Sequence, residues 1–316
     1  MVRGPLSDPR LRGQFSGHET FPLRHGWLKK VVDALFTKSS EKRNLVFDPD
    51  HAIALFGVGK NMVVSMKYWA LATGVVEKNK LHRTRVSRLG KLLLSDHGLD
   101  PYLEQPASLW LLHWRIAGSP QKTTTWYWAF NHYTASTLDR ETLAADIIRL
   151  CRERAWTRVA KSTVRRDVDC FFRTYTLAHT TRGRVNEETL ESPLAELQLV
   201  TPRGIKGLYT FSRGPKDNLP DGIFNFALAE FWERFREAET LSVETLTHEP
   251  GSPGRVFKLD EQSVVDRLAR AEETSGGAFR WSDTAGLQQV LRVKPDIDPL
   301  DLLKLAYASP ACEVAA

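Results

Sequence analysis

Cysteine is scarce in this 316-residue chain: Cys151, Cys170 and Cys312 are its only three, and they share no metal-ligand spacing. An odd number of widely separated thiols excludes a disulfide framework and fits a reducing compartment. Long apolar runs are missing too. Nothing approaches the roughly 18 residues that a bilayer-crossing helix needs, and the opening MVRGPLSDPRLRGQ has no apolar stretch of the secretory-signal kind. The expectation is a cytoplasmic protein without membrane association. The sequence also lacks a dinucleotide fingerprint, a zinc pattern and a nucleophile elbow. Gly57-Val58-Gly59-Lys60 falls short of a phosphate loop, because the spacing before the lysine is too short and no Ser or Thr follows it. A nuclease arrangement of Asp followed by Glu-x-Lys on a strand is not evident, and there is no internal repeat.

What is present is globular. Apolar residues at 42% and charged residues at 26% exclude wholesale disorder. The net charge of +6 is unevenly placed: residues 1–100 carry +8, residues 101–215 carry +5 and the remainder −7. Positive charge concentrated in one part of a fold is the footprint of a polyanion binder, although charge by itself says little about fold.

The pattern predicts a mainly α protein with small β elements (α+β), in three parts after a flexible arm over residues 1–14. Residues 15–100 read as a winged helix. RHGWLKKVVDALF spaces Trp27, Val31, Ala34 and Leu35 as a helix, and Asp48-Pro49 caps and starts a second, which Gly57 ends. A third helix runs from Gly59 to Gly74, with Val58, Met62, Met66, Trp69 and Thr73 as its apolar stripe. Lys60 and Lys67, seven apart, lie nearly eclipsed, as do Asn61 and Tyr68, and together predict an outward DNA-binding patch. A two-stranded ribbon follows, tipped with Lys78, Lys80, Arg83 and Arg85. Such a unit sets its third helix in the major groove and its wing on phosphate; it also serves some proteins purely for protein–protein contact.

Residues 101–180 read as a helical, helix-turn-helix-like region. Trp110, Leu111, Leu112 and Trp114 leave little polar face, so that helix is buried. Trp126, Tyr127, Trp128 and Phe130 fit core packing better than stacking on unpaired bases, because tandem aromatics cannot all point outward. His113 reads as a satisfied core histidine. Thr137 or Asp139 caps the next helix, and Ser162 caps TVRRDVDCFFRTYTL, where Arg165, Asp169 and Arg173 predict an i,i+4 charge ladder. Asp167 and Asp169 diverge by about 200° and so make no metal pair, while Arg165 and Arg166 are candidates for phosphate contact. Residues 181–316 read as an acidic C-terminal α+β lobe: a linker over TTRGRVNEETLES, a hairpin at IKGLYTFSRG, a helix capped by Asp221, then strand, helix and strand from GRVFK onward.

One polar cluster is rich enough for chemistry. SGHETFPLR places His18, Glu19 and Arg24 in a non-helical approach to the first helix. Imidazole, carboxylate and guanidinium can serve as base, metal ligand and phosphate clamp. The same residues can equally form a structural buttress.

The blocks FSGHETFPLRHGWLKK, GVGKNMVVSMKYWA, YLEQPASLWLLHW, TTTWYWAFN, RDVDCFF, SPLAELQLV and FSRGPKDNLPDGIFNFALAEFW resemble a bacterial family of unknown function found beside DNA-phosphorothioation genes, over about residues 14–305. In that family the member of the Ssp cassettes, which place phosphorothioates on one strand, is implied to be a DNA-nicking endonuclease. Its implied partners are DNA, a cysteine desulfurase, an ATP-pyrophosphatase-like sulfur-transfer protein and an ATPase, acting in anti-phage defence. The resemblance carries no established catalytic residue onto this sequence, so His18, Glu19 and Arg24 rest on their chemistry alone. A nickase of this kind calls for Mg²⁺ or Mn²⁺ to stabilise the phosphate transition state, with no organic cofactor; a homodimer is left open. The alternatives are a non-catalytic recruitment subunit that docks the modification enzymes through its acidic lobe, and a winged-helix transcriptional regulator.

Overall fold

In a computed structural model of the protein, residues 3–37, 42–177, 192–284 and 286–308 are described. The expected linker over residues 180–191 and Cys312 lie outside them. The described chain is mainly helical with three small antiparallel sheets, the α+β class expected. Among the described residues no helix is long and apolar enough to cross a membrane.

The front of the chain builds three helices and a ribbon. Helix α1 (Trp27–Thr37) buries Trp27, Val31, Ala34 and Leu35, as their spacing requires. Helix α2 (Pro49–Phe56) starts where Asp48 accepts from the Asp50 amide, and it stops at Gly57 in the left-handed region. Helix α3 (Lys60–Ala72) leads into strands β1 (Val76–Lys78) and β2 (Thr84–Val86), paired antiparallel. The Asn79 side chain tightens their turn by accepting from the amides of Leu81 and Arg83, each at 2.9 Å. Ser87 caps α4 (Arg88–Leu94) through the Gly90 amide. Gly90 itself is forced: a Cβ there would lie 2.0 Å from the Val75 carbonyl oxygen.

The middle is an aromatic core. Helix α5 (Pro106–Ala117) is buried on nearly every side, and all eight residues of α6 (Thr124–Asn131) are buried. The tandem aromatics of α6 are therefore packing groups and present no platform for bases. Helix α7 (Arg140–Glu153) is capped by Asp139. Helix α8 (Lys161–Tyr175) begins one residue before the expected cap, so Ser162 lies inside it and Ala160 precedes it without a side-chain cap.

The C-terminal part contains the expected hairpin, β3 (Val200–Pro202) with β4 (Tyr209–Phe211). In α9 (Asp221–Trp232), Asp221 is the first helical residue and not the cap; its carboxylate is taken by Arg267 at 2.6 Å and Arg270 at 3.0 Å. Strand β5 (Thr240–Ser242) and α10 (Val243–His248) follow. Of GRVFK, expected as a strand, GRVF lies in helix α11 (Pro253–Phe257) and Lys258 ends it in the left-handed region, because Ser252 caps the helix and Pro253 occupies its first position. After α12 (Glu261–Ala269) and α13 (Ala271–Thr274) come β6 (Phe279–Thr284) and β7 (Leu287–Arg292), which complete a sheet of order β5-β7-β6 before α14 (Pro299–Ala308).

The N-terminal arm is docked where a free segment was expected. Leu6 is fully buried, Trp156 donates its indole N–H to the Leu11 carbonyl at 3.2 Å, and the Gln14 amide donates to Thr124 Oγ1 at 2.9 Å. A leucine and a set of distant donors outweigh the local signal of Pro, Gly and Arg.

Candidate nucleic-acid interface

The loop before α1 turns sharply. Gly17, Glu19 and Thr20 have φ of 111°, 46° and 66°, and a Cβ on Gly17 would meet the Tyr68 ring at 2.7 Å. Two non-glycine residues in the left-handed region need outside support. His18 supplies it. Its Nδ1 accepts from the Thr20 amide at 3.1 Å, which leaves the proton on Nε2, and Nε2 donates to Asp167 Oδ1 at 2.6 Å. Both partners are buried, and the imidazole is enclosed by the rings of Tyr68, Trp69 and Trp126. The next carbonyl, of Phe21, accepts from the Trp69 indole at 3.0 Å.

His18, Glu19 and Arg24 therefore part company. Arg24 is buried, its guanidinium 5.5 Å from the ring centres of Phe21 and Trp27, while Glu19 faces solvent. His18 supports the loop, and Glu19 lies on the surface. The cluster fits a metal poorly: both imidazole nitrogens are occupied, and among the described residues no three His, Cys, Asp or Glu side chains gather to hold an ion. Asp167 and Asp169 diverge as their spacing required, one buried and one exposed. Asp167 as the partner of His18 was not foreseen; its signal is an acid on the buried stripe of Val164, Val168 and Phe171.

On α3, Lys60 and Asn61 are exposed and Lys67 is half-buried, its ammonium 4.9 Å above the Phe47 ring. Tyr68 departs from the expected patch. Its side chain is buried and its hydroxyl donates to the Lys122 carbonyl at 2.8 Å. The buried arc of α3 is wider than one stripe, because the His18 loop and the α5–α6 connection close on a second side and take Ser65, Tyr68 and Ala72 inward. The outward stripe is Lys60, Val64, Lys67 and Leu71, with Asn61 beside it.

The ribbon adds Lys78, Lys80 and Arg83, all exposed, whereas Arg85 is paired with Glu77 at 2.6 Å. Burial lowers the affinity of Lys67 for its proton, and the nearby charge of Lys78 lowers it further. The charge of Lys78 on the ribbon thus reaches Lys67 on α3. On α8 the expected ladder is replaced by pairs with other elements: Arg165 reaches Glu141 at 3.7 Å, Asp169 reaches Arg140 at 3.0 Å, and Arg173 donates to the Thr20 carbonyl at 2.9 Å. Arg166 is exposed. His113 is the satisfied core histidine expected, with Nδ1 bonded to the Tyr175 hydroxyl at 2.7 Å and Nε2 to the Val256 carbonyl at 2.8 Å; burial drives its pKa down to about 3.

The sequence profile of a family described as a protein of unknown function, DUF4007, matches residues 15–307. Two solved structures share the fold. One, described as an SspB crystal structure, is 27% identical, covers 95% of this chain and 91% of its own, and superposes with a TM-score of 0.81. The other, described as magnesium ion-bound SspB, is 26% identical over 98% of this chain and 93% of its own, with a TM-score of 0.82. No curated protein matches the sequence.

Proposed function

We propose, from the premise that this chain belongs to the DUF4007 family, that it is the DNA-engaging component of an Ssp-type phosphorothioation system and nicks one strand of the duplex it holds. The observation that carries the binding is the pair of Lys67 and Lys78. Burial first, and then the charge of Lys78, lower the proton affinity of Lys67, and a phosphate that meets both ammonium groups relieves that cost. Lys60, Asn61 and Lys67 on α3 face the groove, while Lys78, Lys80, Arg83 and, after yielding Glu77, Arg85 lie along the backbone. Arg165 and Arg166 extend the cationic track onto α8.

The likeness to SspB over nearly the whole chain supports membership of the system. Its partners there are the cysteine desulfurase, the ATP-pyrophosphatase-like protein and the ATPase, and a nick opens one strand for sulfur to replace a non-bridging phosphate oxygen. A magnesium-bound relative supports a divalent ion. In this chain His18, with both imidazole nitrogens engaged, and the guanidinium of Arg24 do not fit that ion.

A second reading, a recruitment subunit that binds DNA without cutting it, draws on the same observation that both His18 nitrogens are engaged. Incubation of supercoiled plasmid with the pure chain and Mg²⁺ or Mn²⁺ separates the two. Conversion to open circle supports the nickase. Duplex binding with the plasmid left supercoiled in both metals, and in the presence of the partner proteins, transfers the assignment to the recruiter. Tight binding to one sequence without scission assigns a transcriptional regulator.

A further inference from the structure

A recess beside the His18 loop holds three guanidinium groups, of which the proposed DNA contacts use only Arg166. Thr20, Arg140, Arg166, Asp169 and Arg173 line a cavity of about 280 Å³. Arg140 is fixed before any ligand arrives: its guanidinium carbon lies 4.6 Å from the Phe172 ring centre and 5.8 Å from that of Tyr209, and its Nε donates to Asp169 at 3.0 Å. Stacking and the Nε bond set the plane of the fork and leave both terminal amino groups directed elsewhere. Arg173 is tethered through one terminal amino group to the Thr20 carbonyl at 2.9 Å. That carbonyl belongs to a residue held in the left-handed region by His18, which is itself anchored on Asp167. Arg166 completes the wall, one turn before Asp169 and two turns before Arg173 on the same helix. Asp169 is the only carboxylate among these five residues, and it is already engaged by Arg140.

We infer that this recess is a phosphoryl-binding site, in which the amino edges of Arg140 and Arg173 and the mobile head of Arg166 converge on one oxyanion. Planar, preorganised guanidinium forks match phosphate oxygens in pairs, and little side-chain entropy is left to lose when Arg140 binds. The positive charge exceeds the negative by two within the recess, so an anion enters with a net gain. The buried His18–Asp167 pair acts as a positioning element, because it holds the Thr20 carbonyl on which Arg173 hangs. The inference rests on the DNA-binding reading for the natural source of the phosphoryl group, a backbone phosphodiester or a terminal phosphate at a strand end, but not for the site itself.

Calorimetric titration of the full chain with inorganic phosphate at constant ionic strength tests it. Saturable binding is expected, weakened about tenfold in Arg166→Ala and in Arg140→Lys, which keeps the charge and loses the fork. Arg166 is exposed, so its truncation leaves the core intact. Lys304→Ala, at an exposed lysine paired with Asp301, should leave phosphate binding unchanged. A flat titration of the parent chain overturns the site, as does binding by both arginine variants as tight as the parent's. Competition by duplexes with and without a 5′-phosphate then identifies the source: displacement by both alike assigns an internal phosphodiester, and displacement by the phosphorylated end alone assigns a strand end. Phosphate binding that both variants weaken, in a chain that binds no duplex, keeps the recess and removes the DNA reading. Duplex binding without phosphate binding does the reverse.

Discussion

Replacing Lys60, Lys67 and Lys78 together with glutamine isolates the charge on the face of α3 and the β1–β2 ribbon with little change in packing, since two of the three are exposed and only Lys67 rests on a ring. Arg85 has first to leave Glu77 and, where it does, adds equally to both proteins, so the cations of this face open to phosphate without breaking a pair are Lys60, Lys67, Lys78, Lys80 and Arg83. If each releases a counterion, the slope of log affinity against log salt is about −4.5, and a rise from about 50 to about 200 mM salt weakens binding about 500-fold. The triple variant keeps two contacts, for a slope of about −1.8 and a loss of only about twelvefold over the same range. The arginines of α8 add a further increment to both proteins and leave the difference unchanged. Fluorescence anisotropy of a labelled duplex across a salt series reads both slopes. Parallel lines for the two proteins would refute the reasoning, because they would place the phosphate contacts elsewhere.

Other consequences concern stability. His113 is buried and neutral, with its pKa lowered from 6.5 to about 3 by desolvation. The unfolded chain takes up that proton first as pH falls below about 6.5, so stability is lost between there and about 3. At pH 4 the loss from this group is about 3 kcal/mol. His132, pulled down to about 4 by burial, works in the same direction. Urea midpoints measured from pH 7 to 4 should fall steeply, and less steeply in His113→Gln. Asp167→Ala strips the buried acceptor from His18 and should cost about 1–3 kcal/mol, read as a lower urea midpoint; a midpoint equal to that of the parent would show that the pair does not hold the loop. Gly17→Ala combines φ of 111° with a contact to Tyr68 and should cost about 1–3 kcal/mol, measured in the same way.

Local chemistry made the front of the chain legible. Asp48-Pro49 and Gly57 mark both ends of α2 without help from any distant group, and the spacing of Trp27, Val31, Ala34 and Leu35 identifies the buried face of α1. The crowding of aromatics in α5 and α6 was enough to place them inside. What remained hidden depends on partners far along the chain. Tyr68 turns inward because a carbonyl 54 residues away accepts its hydroxyl proton, and His18 is committed by an aspartate 149 residues away. Arg140 takes Asp169 from a ladder that looks sound on α8 alone. GRVFK has the composition of a strand, yet the Ser252-Pro253 pair before it starts a helix. The candidate site was thus half visible: the lysines of α3 and the wing from spacing, the arginine recess only once α7 and α8 are set side by side.

Lysine acetylation footprinting of the full chain, with and without saturating duplex and read by mass spectrometry, tests the DNA-binding claim on the residues themselves. Acylation requires the neutral amine, so the depressed proton affinity of Lys67 favours its modification in the free protein. Duplex should protect Lys60, Lys67 and Lys78, while Lys294 and Lys304, far along the chain and bonded to Gly276 and Asp301, react as before. Equal labelling of Lys60, Lys67 and Lys78 in the free and duplex-saturated protein would contradict the account.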